Sequence, residues 1–341
     1  GMGSLVRRVQ FTGRSTYIIS IPKDWARSVG ITKGSKVFIE IMPDNSLRIR
    51  PEPRLAEVKL TKIIDLSSGL DVNTAMREIV GAYVAGFEVF KINFNGRTLD
   101  ALKKLRDLMS SKLANLMVVE ESQDSVTFKV VSSPKPMSVR EFASWISRLV
   151  GNMFSDLLRG IREGDVTALE AVWERDDLVD KAYIMATRQL TRVLMGEATL
   201  DSLGLGSQAE VIHYYHAFKT LERMADHLSS IAVEAKGLIE RWGKIDSSLI
   251  KFMEEVSGAA KASFEALIKL DVETSRGIAL QIEALKTKLM NISASITSVS
   301  RDPAYNSILI SVGRLLGYSL DLAEIVFDIA AVRSVAEVLY E

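Results

Sequence analysis

The sequence predicts a multidomain α+β protein: a small β-rich domain over residues 2–54, a small βαβαββ domain over 55–132, and an all-α half over 138–341. Three observations predict it. Residues 5–52 alternate apolar and polar side chains as strands do, and residues 57–131 mix strand runs with two capped helical stretches. Beyond Ser133-Pro134-Lys135-Pro136, whose two prolines mark a linker, apolar residues recur at the helical period. With 341 residues, 47% hydrophobic and 25% charged, the chain is long enough for two or three cores.

In the first domain, Val6 to Phe11 reads as a strand, Thr12-Gly13-Arg14 as a turn, and Tyr17 to Ile21 as its partner strand. Pro22 opens a short helix from Lys23 to Val29, because proline suits a first helical position, and Gly30 ends it. Two further strands, Lys36–Met42 and Ser46–Arg50, flank a Pro43-Asp44-Asn45 turn. A ββαββ unit this small has little core, so dimerisation is the expected way to complete it. The chain is neutral as a whole, yet residues 2–54 carry ten basic against four acidic side chains, a net of +6. A basic head on an acidic body points to a polyanionic partner, with nucleic acid the commonest.

Val9-Gln10-x-Thr12-Gly13-x-Ser15-Thr16-Tyr17-x-x-Ser20-Ile21-Pro22-Lys23-x-Trp25, followed by Gly30-Ile31-x-x-Gly34-Ser35-Lys36-Val37, resembles the SpoVT/AbrB family of DNA-binding domains. The resemblance implies an intertwined swapped-hairpin dimer whose basic residues track DNA. By position it assigns Arg7, Arg8, Arg14 and Lys23 to the DNA-facing part, with Arg27 added from the helix. A dimerisation module with a solvated basic face is the plainer alternative.

The second domain reads as a strand at Val58–Ile64, a helix capped by Asp71, a strand at Glu88–Phe94, a helix capped by Thr98, and strands at Leu116–Glu120 and Ser125–Val131. It has no phosphate loop, acid pair or histidine. A spacer or dimer-contact role is expected.

In the helical half, Ser138-x-x-Glu141 is a capping box, and Asp165, Asp246, Asp271 and Asp302 precede further helices. Ser207-x-x-Glu210 is read the same way. Six helices result, in two sets of three, with repeats over 138–242 and 245–341. The loop from Gly196 to Gly206 is the long one, and its glycines suggest mobility.

Two acid pairs stand out. Asp176 and Asp180 fall on or beside the apolar stripe of Leu169, Val172, Val179, Tyr183 and Leu190. Buried unpaired carboxylates would each cost several kcal/mol, so they call for a cation, protons or a water-filled groove. Glu222 and Asp226 repeat the spacing one helix later, on the flank of their stripe. Residues four apart share a helix face, so the four carboxylates can line a site for hard or borderline cations. Lys219 and Arg223 could instead pair with Glu222 and Asp226 on a solvated face. His213, His216 and His227 read as surface histidines. No spacing defines a Ser-His-Asp arrangement, so no enzyme is expected.

There is no cysteine, which removes disulfides and thiolate metal sites. The longest uncharged stretch, Leu289 to Ser300, is too short and polar to span a bilayer, and no signal peptide follows Arg7 and Arg8. A cytoplasmic protein without membrane insertion is expected.

Glu174-Arg175-Asp176-Asp177-Leu178-Val179-Asp180, with Arg188-Gln189-Leu190 and Leu221-Glu222-Arg223-Met224-Ala225-Asp226-His227, resembles the PhoU family of phosphate-uptake regulators. The resemblance implies two three-helix bundles and an iron or zinc cluster held by Asp176, Asp180, Glu222 and Asp226. In the second repeat Ile282, Lys286, Gly313 and Gly317 stand at the matching positions, so at most one such site is expected. An AbrB-like head on PhoU-like bundles looks like the archaeal type of PhoU regulator. It implies a homodimeric, phosphate-responsive transcriptional regulator; the alternative is an adaptor that docks on a phosphate ABC transporter or sensor kinase and uses its head only to dimerise.

Overall fold

The computed structural model describes residues 4–13, 15–42, 45–51, 60–131 and 135–340, without the side chains of residues 336, 339 and 340. The chain divides into two compact units, residues 1–58 and residues 59–339.

The first unit is two hairpins and a short helix. β1 (Gln10–Thr12) pairs antiparallel with β2 (Thr16–Ile18) across a turn in which Gly13 has φ 64°. Phe11 faces Tyr17, with ring centroids 5.0 Å apart. The strand predicted from Val6 begins only at Gln10, so Arg7 and Arg8 precede it. Pro22 caps α1 (Lys23–Ser28), and Gly30 follows with φ 76°. β3 (Val37–Ile41) pairs antiparallel with β4 (Leu47–Pro51), where Arg50 and Glu40 form an ion pair on adjacent strands. The two hairpins form separate two-stranded sheets, and no described residue of this unit is buried.

The second unit begins with a four-stranded sheet. β5 (Thr61–Asp65), β6 (Val89–Asn93), β7 (Leu116–Glu121) and β8 (Ser125–Val130) lie in the order β5-β6-β8-β7. Only β5 and β6 run parallel, joined through α2 (Val72–Ala85). α3 (Leu99–Lys112) connects β6 to β7. The inward residues Ile64, Phe90, Ile92, Val126 and Phe128 pack with Ile79, Tyr83 and Leu105 from the two helices. Asp71 caps α2 through the Thr74 N–H as read. Thr98 does not cap α3 in that way: its hydroxyl accepts from Asn95 N–H at 2.9 Å, so it is spent on the preceding loop.

Seven helical segments follow: α4 (Val139–Glu163), α5 (Val166–Glu174), α6 (Asp176–Leu194), α7 (Glu210–Trp242), α8 (Ser247–Lys269), α9 (Val272–Val299) and α10 (Pro303–Tyr340). They share one core, in which Phe142, Phe154, Phe218 and Phe252 are enclosed. The Ser138–Glu141 capping box forms both of its bonds, at 3.1 and 2.7 Å. Asp165, Asp246 and Asp271 each accept from backbone N–H groups one turn on, which satisfies the donors a helix start leaves free. At Ser207 only half of the predicted box forms: Glu210 Oε2 accepts the Ser207 N–H at 2.8 Å, while the serine hydroxyl makes no bond.

Two other expectations change. The helix expected after Asp165, one of six, is interrupted at Arg175, where the Leu178 N–H turns back to the Arg175 carbonyl at 3.1 Å, and seven segments result. The loop from Gly196 to Gly206 is anchored rather than loose, because Leu203 and Leu205 are buried in the helical core. α2 and α3 pack on α6, and Ile184 of α6 joins the core of the α/β region. No helix among the described residues is long and apolar enough to cross a membrane.

Candidate metal centre and nucleic-acid interface

The interruption at Arg175 places Asp176 and Asp177 in the first turn of α6, where carboxylates are favoured by the helix dipole. Arg175 itself turns away. Its Nε lies 2.8 Å from Asp156 Oδ2 on α4, so the cation nearest in sequence does not neutralise Asp176. Asp176 and Asp180 are half-buried, and α7 brings Asp226 beside them. Each of these three carboxylates offers an oxygen within 4.8 Å of the other two.

Glu222 stands next to this group but outside it. It is only 9% exposed, and Lys219 Nζ lies 2.8 Å from its Oε2, an ion pair without hydrogen-bond geometry. The pairing considered between Arg223 and Asp226 is not among the ion pairs of the described residues, and Asp226 remains exposed at the edge. The balance between the two pairs therefore differs from the expectation that Glu222 lies on a flank.

One partner was invisible to periodicity. Lys112, the last residue of α3, reaches across from the α/β region and sets its Nζ 2.6 Å from Asp180 Oδ2 and 4.0 Å from Asp177 Oδ1. A fixed ammonium therefore sits on one side of the acid group.

That single cation does not balance the cluster. Burial, then the Asp180 charge, pushes the Asp176 carboxyl up to about 6. Partial desolvation of its carboxyl, on a residue otherwise exposed, and the neighbouring Glu222 push Asp226 up to about 7. Asp180 is also raised, because burial outweighs its bond to Lys112. Asp176 Oδ1 is enclosed and has no hydrogen-bond partner. An orphaned buried carboxylate oxygen among repelling neighbours fits a bound cation. The donors are all oxygen, which suits hard cations such as iron(III), manganese or magnesium better than zinc, whose protein sites favour nitrogen and sulfur.

None of the histidines joins the group. His213 approaches Asp328, His227 Nδ1 lies 3.2 Å from Ser311 Oγ, and His216 is exposed. Among the described residues no second group of three such ligands occurs, and Ile282 is fully enclosed in apolar core.

Of the residues read as DNA-facing, Arg7, Arg8, Lys23 and Arg27 are exposed, and Arg14 lies outside the described residues. Lys23 opens α1 and Arg27 stands in its last turn, one turn apart on its surface. Among the described residues none of the four is in an ion pair. The same unit exposes Phe11, Tyr17, Phe38, Ile39 and Ile41, from 50% to 78% of each side chain's full area.

Comparison with known proteins matches residues 144–235 to the PhoU domain family. Residues 10–56 match the family described as "Antidote-toxin recognition MazE, bacterial antitoxin". Two solved structures are similar. PhoU from Pseudomonas aeruginosa is 18% identical, with 57% of this chain and 95% of that one aligned and a TM-score of 0.47. The phosphate transport system regulatory protein PhoU from Streptococcus pneumoniae is 18% identical, with 56% and 93% aligned and a TM-score of 0.49. A search of the curated proteins gives no match.

Proposed function

We propose that this chain, in which a MazE/AbrB-like head precedes a PhoU domain, is a homodimeric cytoplasmic regulator of transcription that responds to phosphate status. Its head completes a hydrophobic core by dimerising and holds DNA through Arg7, Arg8, Arg14, Lys23 and Arg27. The helical half carries a hard cation on Asp176, Asp180 and Asp226, with Glu222 alongside, and relays phosphate status to the head. Iron fits this donor set better than zinc. The role is regulatory rather than catalytic. The α/β region, read from the sequence as a domain over 55–132, packs on α6 within the second unit and serves in this reading as a spacer.

The observation that carries the reading is the head: a small unit with no described buried residue, seven large exposed hydrophobics on its strands, and Arg7, Arg8, Lys23 and Arg27 exposed outside the ion pairs of the described residues. The apolar surface supports a second copy as partner, and the unpaired cations support a polyanion.

Selection of genomic fragments on the immobilised full chain, at two salt concentrations, tests it. Enrichment of specific fragments that weakens at the higher salt, and is lost in Arg8→Ala with Arg14→Ala, is the expected result. Retention without sequence preference or salt dependence, unchanged in that variant, would favour the adaptor that docks on a phosphate transporter or sensor kinase.

A further inference from the structure

Between the α/β region and α6 lies a cavity of about 510 Å³ that the regulatory reading does not use. This volume is within the usual range of small-molecule sites. Arg188 lines it and is only 6% exposed. Its Nη1 donates to the carbonyls of Tyr83 and Phe87, the second at 2.8 Å, at the C-terminal end of α2. The guanidinium carbon lies 4.6 Å from the centroid of the Tyr83 ring. These contacts use one of three nitrogens. Nε and Nη2 make no hydrogen bond, are not sealed off, and no carboxylate among the described residues pairs with them. A guanidinium this enclosed without a counter-ion is costly, and burial pulls its pKa down.

Two neighbours on α6 face the same space. Arg192 is half-buried and only loosely held by Glu197, at 3.5 Å. Gln189 presents an enclosed Oε1 without a hydrogen-bond partner, and turning the amide would present two N–H donors instead. Arg188 and Arg192 line the cavity together with one carboxylate, that of Glu197. Tyr83, Met137 and Met185 give the cavity an apolar side, and Asn115, Thr199 and Ser202 add neutral polar groups. Capping α2 accounts for Nη1 alone. It leaves the idle guanidinium donors, the second arginine and the orphaned amide without a reason.

We propose that this cavity binds a small phosphate ester of mononucleotide size, with its phosphate on Arg188, Arg192 and Gln189 and its apolar portion against Tyr83, Met137 and Met185. Arginine forks match phosphate oxygens bidentately, and the cavity is larger than a bare oxyanion needs. Because Tyr83 belongs to α2 and Arg188 and Arg192 to α6, the ligand would tie the α/β region to the helical half. The site is independent of the acid cluster and of the head.

Calorimetric titration of the full chain with AMP, GMP, CMP, UMP and inorganic phosphate tests it. Saturable binding of at least one mononucleotide is expected, with inorganic phosphate weaker by about tenfold or more. Arg192→Glu, on a partly exposed side chain, should weaken the mononucleotide by about tenfold or more at an unchanged melting temperature. Arg188→Lys keeps the charge but loses the fork and should weaken it too. Arg7→Ala with Arg8→Ala should leave it intact. The proposal is overturned by any of three results: no saturable mononucleotide binding, equal affinity in folded Arg192→Glu, or loss of binding with the head variant alone.

Discussion

In the head, not one of the described residues between 4 and 51 is buried, whereas residues 60–340 hold two cores that enclose Phe90, Phe142, Phe154 and Phe218. Both regions are patterned with apolar residues at the period of their secondary structure. The difference lies in the number of layers. In the body successive layers meet: the sheet shares a core with α2 and α3, those helices meet α6, and α6 meets α7. The head has two hairpins that do not pair with each other, so its apolar side chains face outward. Pattern sets which side is apolar; only a second layer, from the same chain or another copy, makes it a core.

A pair of substitutions breaks or sharpens that contrast. Phe142→Ala should cost the body about 3–5 kcal/mol, seen as a melting transition lowered equally at every protein concentration. Ile39→Asp in the head should abolish self-association in sedimentation while the helical melting transition stays in place. If that variant remained a dimer, or if the body melted with it, the contrast would be wrong.

A smaller effect concerns the acid group on the body. Protein purified without chelator should carry a cation that Asp176→Asn with Asp180→Asn removes, by elemental analysis. Lys112→Ala should instead tighten cation binding several-fold, since it takes away a positive charge 2.6 Å from Asp180. Unchanged metal content in the double variant would return the cluster to an ordinary acidic surface.

The smallest effect is on pH dependence. Asp176 and Asp226 titrate at about 6 and about 7 in the fold, above the ordinary 3.8. A raised carboxyl favours the folded state when protonated, so its contribution is full below the unfolded value and lost as pH rises through the folded one. The metal-free body should therefore lose stability between about pH 4 and about pH 8, and Asp226→Asn should flatten that loss. Cation binding should strengthen over the same window, because the ligands must be deprotonated.

Much of this was legible in the sequence because local chemistry is written in local spacing. Ser138 with Glu141, and Asp71, Asp165, Asp246 and Asp271, each satisfy backbone donors within three residues, and all cap as read. The order of strands and helices follows from period and punctuation. Distant pairings were not legible. Lys112 and Asp180 lie 68 residues apart, and nothing in the α3 sequence marks its last lysine as the partner of an acid on α6. The interruption at Arg175 accompanies its pairing with Asp156, a residue whose burial depends on how α4 packs. Thr98 has the right residue type for a cap, yet a nearer donor in its own loop takes the hydroxyl. The Arg188 cavity was not legible either, since Tyr83 comes from α2 while Met185, Arg188 and Arg192 come from α6, about a hundred residues on.

The most direct test of the proposed DNA-binding role of the head is fluorescence anisotropy of the full chain on duplex DNA across a salt series. A log-log slope of roughly −0.9 for each phosphate neutralised is predicted, and Arg7→Ala with Arg8→Ala should reduce its magnitude by roughly 2. Affinity independent of salt, or a slope unchanged by that variant, would contradict the account.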